Sequence, residues 1–317
     1  MRSALNNFRE WLSVERRLVG VSLMRVGLGT IIIAVYSQHL LQFRFLWGNN
    51  GVVPYSLFKE ILSANRELSL FAISPSLNTF IFILGIGSAV LFTIGLYTRI
   101  SSVAFYICTF SLYTRNPFLL DGGDNLLYLL AFYMMFTDCG AHFSFDSARR
   151  RSSQAPGPFR ALLHNFGILA IITQLTLLYF TSAFYKVQGH MWQDGTAVYY
   201  ILRSAEFNMS SLSHIIYDNG PVLTVITWSV MINQLAWVFW IWHPKLRWAL
   251  VASTVVMHFM IAYFMGLFWF SAVMISAECI VLSDSDYSML GKIFNLGFAG
   301  APQMAGPQRQ NAVGQAA

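Results

Sequence analysis

Charge is what this sequence has least of. Only 11% of its 317 residues are charged, against about 25% in ordinary soluble domains, and that deficit excludes a water-exposed globule. Lysine is scarcer still: Lys59, Lys186, Lys245 and Lys292 are the whole complement. Cysteine is limited to Cys108, Cys139 and Cys279, in or at the ends of apolar segments and without CxxC spacing. They read as packing residues rather than disulfide partners or thiolate ligands. No His-x-x-x-His pair or His/Cys cluster occurs, so no metal centre is expected. P-loop, dinucleotide fingerprint and nucleophile elbow are also absent. The net charge of +6 does not point to nucleic acid, because the basic residues sit in short loops between apolar runs, as membrane topology requires.

What fills the chain is hydrocarbon. Hydrophobic residues make up 56% and aromatics 16%, and the mean hydropathy is +0.54. Apolar runs long enough to cross a ~30 Å hydrocarbon layer recur along the chain. The expected fold is all-α: a polytopic membrane bundle of about eight spans, near 18–40, 78–97, 99–115, 124–140, 161–186, 221–242, 246–265 and 267–283. No cleavable signal peptide is expected, because residues 1–17 are polar and the first apolar run is long enough to span. Leu5, Phe8 and Leu12 with Glu15-Arg16-Arg17 predict an amphipathic interfacial N-terminus over 1–17. Residues 18–285 form the transmembrane domain, and 286–317 a flexible tail rich in Gly, Ala, Gln and Pro from about Gly297 onwards.

Charge then sets the orientation. With a cytoplasmic N-terminus, 13 Lys and Arg residues fall on the cytoplasmic side and 6 outside, with Arg25 left inside a span. Both termini are therefore expected in the cytoplasm of a multi-pass protein of the cell membrane. Two long loops, about 41–77 and 187–220, then lie outside. Their Trp47-Gly48…Gly51, Trp192, Gly195 and Gly220-Pro221 suit caps folded onto the membrane.

The same topology gathers polar groups at the outer leaflet. Lys186 ends the fifth span, Arg115-Asn116-Pro117 ends the third, Asp121-Gly-Gly-Asp124 opens the fourth, and His258 lies in the outer half of the seventh. Ionisable groups are costly in hydrocarbon, and their convergence marks a functional cavity. Lys186 has two readings: a snorkelling lysine at a helix end, or a base whose partial burial disfavours the ammonium and leaves an amine able to accept a proton. Asp121 and Asp124 are either helix-capping residues, with Arg115 able to pair with Asp121, or part of a site. A lone His258 among apolar neighbours is either a hydrogen-bonded core residue or a ligand contact. Arg25 is an interior charge that snorkels or binds a carboxylate or backbone carbonyls. Glu278, near the cytoplasmic end of the last span, is expected to reach the headgroups, and Asn233-Gln234 to bond across helices.

The order of these features resembles the HTTM (horizontally transferred transmembrane) family, the membrane domain shared with vitamin K-dependent γ-carboxylases. The nearer likeness is to the bacterial branch similar to the B component of the sporulation-delaying toxin system. The residues that carry it run from Arg25 and Trp47…Gly51 through Gly95-Leu-Tyr-Thr-Arg99 and Arg115…Asp121-Gly-Gly-Asp124. They continue with Tyr179-Phe180…Lys186…Trp192-x-x-Gly195 and His258…Met265-Gly-Leu-Phe268-Trp-Phe270-Ser271. The resemblance implies that Lys186 is the base that deprotonates a reduced quinone of the vitamin K or menaquinol type. The quinol anion then reacts with oxygen to give a strong alkoxide base. Arg115, Asp121, Asp124, Trp192, Asp194 and His258 are the residues expected to line the substrate or quinone site.

Two departures shape the expectation. The large extracytoplasmic region of the carboxylases has no counterpart after the last span, and Tyr185 stands where many carboxylases carry a second lysine. Glutamate carboxylation itself is thus not the expected reaction. The expected role is maturation of an exported peptide or toxin precursor with a small partner protein, in the lipid bilayer. The alternative is a non-catalytic scaffold or immunity-type partner of a secreted peptide.

Overall fold

The computed structural model of the chain describes residues 14–149 and 157–294. Residues 1–13 of the interfacial segment expected over 1–17, and the expected tail beyond 294, lie outside the described residues. What is described is helical, and no strand occurs among the described residues.

Ten helices carry the fold: α1 (Leu18–His39), α2 (Tyr55–Asn65), α3 (Asn78–Ile94), α4 (Thr98–Arg115), α5 (Gly122–Met134), α6 (Pro158–Gln188), α7 (Gly220–Trp240), α8 (Leu246–Met265), α9 (Phe268–Glu278) and α10 (Asp284–Ile293). Five stretches are long and apolar enough to cross a membrane: α1 with its extension to Leu46, Pro75–Ile94, α6, α7 and α8. The expected spans near 99–115, 124–140 and 267–283 are α4, α5 and α9, of 18, 13 and 11 residues. At 1.5 Å per residue, the last two are shorter than the hydrocarbon layer. They pack against α1, α4, α6 and α8 inside the bundle instead.

Large apolar residues face outward all along the long helices, among them Phe80, Ile83, Phe166, Ile232, Phe239, Val256 and Phe259. That surface suits acyl chains rather than water. The described residues and this surface define a helical membrane protein.

The helix ends show why the chain turns where it does. Gly95 closes α3 at φ +68, and an added Cβ would collide with Ser144 and lie 2.9 Å from the Arg25 guanidinium. Only glycine meets both demands. Asp146 then caps α4 from a distant segment, accepting from the backbone N–H groups of Tyr97 (3.0 Å) and Thr98 (2.6 Å). Gly266 closes α8 at φ +73.

The two expected outer caps are folded. The first contains α2 and short helical turns, with Val53, Phe58 and Phe71 fully buried. The second contains the short helices His190–Gln193, Ala197–Arg203 and His214–Tyr217. At the opposite face, α10 begins with a capping box at Ser283, and Asp286 forms a 2.5 Å ion pair with Arg247. Residues 286–293 of the expected tail thus belong to a helix docked near the start of α8.

Candidate functional site

Lys186 sits in the last turn of α6, half-buried. Its ammonium nitrogen bonds Ser182 Oγ, one turn back, at 2.5 Å. The indole of Trp192, carried by the short helix His190–Gln193, lies with its ring centre 5.2 Å from Nζ, a cation–π distance. No acidic side chain pairs with Lys186 among the described residues. Asp194 follows in an exposed turn, so Trp192 rather than Asp194 is the residue of that motif brought onto the lysine.

Seven residues separate Tyr179 from Lys186. That is nearly two helical turns, so both side chains rise from the same face of α6, about 10 Å apart along its axis. Tyr179 is buried and tied to three other helices. Its hydroxyl donates to Glu278 Oε1 of α9 at 2.8 Å, and its oxygen lies 3.3 Å from His258 Nε2 of α8. Its ring stacks on Trp237 of α7 at 4.9 Å, and the Trp237 indole N–H donates to the same Glu278 oxygen at 3.2 Å.

With its one proton committed to Glu278, the Tyr179 oxygen can only accept from His258, which assigns the Nε2–H tautomer. Nδ1 is then a bare acceptor. It has no hydrogen-bond partner among the described residues, and neither have Glu278 Oε2, Ser271 Oγ and Gln234 Oε1. Ser271 and Glu278 are again seven residues apart, on one face of α9. Buried polar atoms are almost always satisfied, so four such atoms on α7, α8 and α9 are exceptional and mark unused polar capacity inside the bundle.

This placement corrects the expectation for Glu278. It does not reach the headgroups. It is 1% exposed, because α9 ends inside the bundle and the chain packs on above it through Ile280 and Val281. Asn233 does bond across helices, donating to Thr254 Oγ1 at 3.2 Å and accepting from Ser253 Oγ at 2.6 Å.

Asp121 caps α5. Its Oδ1 accepts from the N–H groups of Gly123 (2.6 Å) and Asp124 (3.0 Å), and Asp124 Oδ2 accepts from the Asp121 N–H at 3.0 Å. The pair therefore forms a reciprocal capping box. Gly123 lets this helix start approach the backbone of Phe270, at 2.8 Å from an ideal Cβ, and the Phe270 ring in turn packs 5.7 Å from His258. The Asp-Gly-Gly-Asp segment and His258 are thus neighbours through Phe270. No hydrogen bond, ion pair or ring contact joins Lys186 to Arg115, Asp121, Asp124 or His258 among the described residues.

The two buried arginines are structural clamps. Arg115 does not pair with Asp121. Its guanidinium donates to the carbonyls of Val53 (2.9 Å) and Gly48 (2.6 Å) and covers the Phe58 ring at 5.0 Å. Asn116 adds a bond to the Leu46 carbonyl at 2.8 Å, so the end of α4 holds the first outer cap. Arg25 donates to five carbonyls, those of Phe92, Thr93, Cys139, His142 and Phe143. It joins α1 to the end of α3 and to the segment after α5. A guanidinium suits this use because its five donors spread in a rigid plane.

Sequence reasoning missed Tyr179 as a connecting residue, together with Trp237 and the interior position of Glu278. The signal was present in part, since Tyr179 shares its helix face with Lys186. The meeting of α7, α8 and α9 around it is tertiary and leaves no local pattern.

A many-pass bundle with a lysine at one helix end and a buried tyrosine–carboxyl–histidine cluster below it defines the class: a helical membrane protein with a polar cluster in its interior. Residues 15–286 match the HTTM domain, and the chain belongs to the HTTM domain family. Among curated relatives, the chain is similar to the uncharacterized protein YitO of Bacillus subtilis (strain 168). The two are 25% identical over 244 residues, covering 74% of this chain and 77% of that protein. No solved structure matches it.

Proposed function

We propose that this HTTM protein is an integral-membrane enzyme that uses Lys186 as a base on a reduced quinone of the vitamin K or menaquinol type, in the maturation of an exported peptide. The observation that carries this reading is the setting of Lys186: half-buried, without an acidic partner, and under the face of Trp192. A snorkelling lysine needs only water or headgroups. Here the amine turns back onto Ser182 and an aromatic wall.

The residues present fit such a ligand. Trp192 offers a flat apolar face to a quinol ring, and Lys186 Nζ the acceptor for its hydroxyl proton. The exposed Phe180, Phe184 and Tyr185 of the same helix give a lipid-facing apolar flank, suited to a ligand that arrives through the bilayer. When bound, the reduced quinone supplies an acidic hydroxyl and two electrons. Lys186 Nζ would accept the hydroxyl proton of such a quinol, forming a new N–H bond, while the electron pair of the broken O–H bond would stay on the quinol oxygen. The orphaned His258 Nδ1, Glu278 Oε2 and Ser271 Oγ offer a second polar station two turns deeper.

In this reading the protein lies in the cell membrane with both termini cytoplasmic and the Lys186 end outside. Its partners are a secreted peptide precursor and a small partner protein. The likeness to the carboxylases supports the lysine's role, and glutamate carboxylation is not part of the proposal.

The test is co-expression with the neighbouring genes, reading the mass of exported peptides from wild type and Lys186→Ala, with and without added menaquinone. The proposal expects a mass change that needs both Lys186 and the quinone. Identical masses in every condition overturn it.

A further inference from the structure

Two cavities lie at the end of the bundle opposite Lys186, where α4 and α6 begin. One, of about 510 Å³, is lined by Arg99, Arg149 and Arg160 among others. The second, of about 240 Å³, is walled by Val103, Met135, Phe136 and Leu163. They share Arg99, Thr137, Asp138 and Arg160 as common walls, so they are adjacent.

Charge in the larger cavity is unevenly used. Arg160 is paired with Asp138 at 2.5 Å and with Glu15 at 3.4 Å. Asp146 accepts from the start of α4, including Thr98 Oγ1 at 2.7 Å. Arg99 and Arg149 are exposed and form no ion pair among the described residues. Two guanidinium groups without an ion pair among the described residues therefore line the larger cavity, beside Asp138 and Asp146.

The apolar part lies deeper along the same helices. Val103 is one turn from Arg99 on α4, and Leu163 one turn from Arg160 on α6, so each stands below an arginine on a shared face. Tyr97 and Ile100 beside them are 66% and 72% exposed. A charged cavity at the helix ends, beside a more apolar one about one turn deeper, repeats the layout of a phospholipid.

We propose that these adjacent cavities together bind an anionic glycerophospholipid, with its phosphate on Arg99 and Arg149 and one acyl chain along Val103, Met135, Phe136 and Leu163. Guanidinium forks match phosphate oxygens in pairs. The groove selects a lipid over a free phosphate, and the unpaired arginines select an anionic headgroup over a zwitterionic one. The site is independent of the chemistry proposed for Lys186, at the other face.

The test is native mass spectrometry of the delipidated full chain with phosphatidylglycerol, with phosphatidylcholine of the same acyl chains, and with glycerol 3-phosphate. Wild type should retain phosphatidylglycerol in preference to the other two. The double variant R99Q/R149Q should bind it ~30-fold more weakly, and R149Q alone about fivefold more weakly, at about 1 kcal/mol per arginine. Leu163→Trp, which fills the groove, should weaken phosphatidylglycerol but leave glycerol 3-phosphate unchanged. Equal retention of phosphatidylglycerol by wild type, R149Q and the double variant overturns the proposal. So does glycerol 3-phosphate binding as tightly as the lipid, which would make this a free-phosphate site.

Discussion

The Tyr179 hydroxyl donates to Glu278 Oε1 at 2.8 Å, and through that bond the middle of α6 is fastened to the end of α9. The same carboxyl oxygen accepts from Trp237 of α7, and the same tyrosine oxygen lies against His258 of α8. One bond thus stands at the meeting of four helices. Tyr179→Phe keeps the ring and its stacking on Trp237 but leaves a buried carboxyl oxygen with one donor fewer. The expected cost is about 1–3 kcal/mol, read as a lowered unfolding midpoint in detergent. Glu278→Ala removes the acceptor for both donors and should cost more than Tyr179→Phe.

Arg25 is the second test of the interior. Its guanidinium donates to five carbonyls, of which that of Phe92 also accepts from the Gly95 N–H at 3.1 Å. Arg25→Met should destabilise by about 3 kcal/mol or more, since several buried carbonyls lose their partners at once. Arg25→Lys should recover only part of this, because an ammonium offers three donors from a single point. Thermal unfolding of the three proteins, with expression level as a second readout, checks the order wild type, then Lys, then Met.

Asp121 caps α5 by accepting from the N–H groups of Gly123 and Asp124. Asp121→Ala should cost about 0.5–2 kcal/mol, and Asp121→Asn much less, since an amide oxygen accepts the same bonds. If Asp121 served the chemistry through its charge, Asp121→Asn would lose activity while keeping stability. Measuring both properties on the two variants separates the roles.

At the other face, burial works to raise the Asp286 carboxyl. The Ser283 hydroxyl and N–H, with Arg247, more than offset it, so the group titrates below the usual aspartate value. A carboxyl lowered on folding contributes stability above its unfolded value, near 4, and loses it as pH falls through the lowered folded value. Unfolding midpoints of wild type should therefore drop in acid more than those of Asp286→Asn. Parallel pH profiles of the two proteins would contradict this.

Much of the fold was readable because a membrane imposes length and apolarity on each span, and α1, α3, α6, α7 and α8 satisfy both. The short helices were not readable as short. Apolar residues continue past Met134 and Glu278 in sequence, so composition alone extends α5 and α9 to full spans. The capping role of Asp121 and Asp124 was legible because a cap is a local device with local spacing. The partners of Arg115 and Glu278 were not, because each bonds across the fold to segments far away in sequence. For Arg115, a carboxylate six residues away was the obvious partner in sequence, yet the carbonyls of the outer cap hold it.

Lys186 carries the central claim, and consumption of a reduced menaquinone by the purified protein in proteoliposomes tests it most directly. Wild type should consume the quinol in the presence of oxygen, while Lys186→Ala, with an unchanged unfolding midpoint, should fall to the protein-free rate. A small primary amine added to the Lys186→Ala protein should restore part of the activity by standing in for Nζ. If Lys186→Ala consumes the quinol as fast as wild type, Lys186 is not the base and the account of this site is wrong.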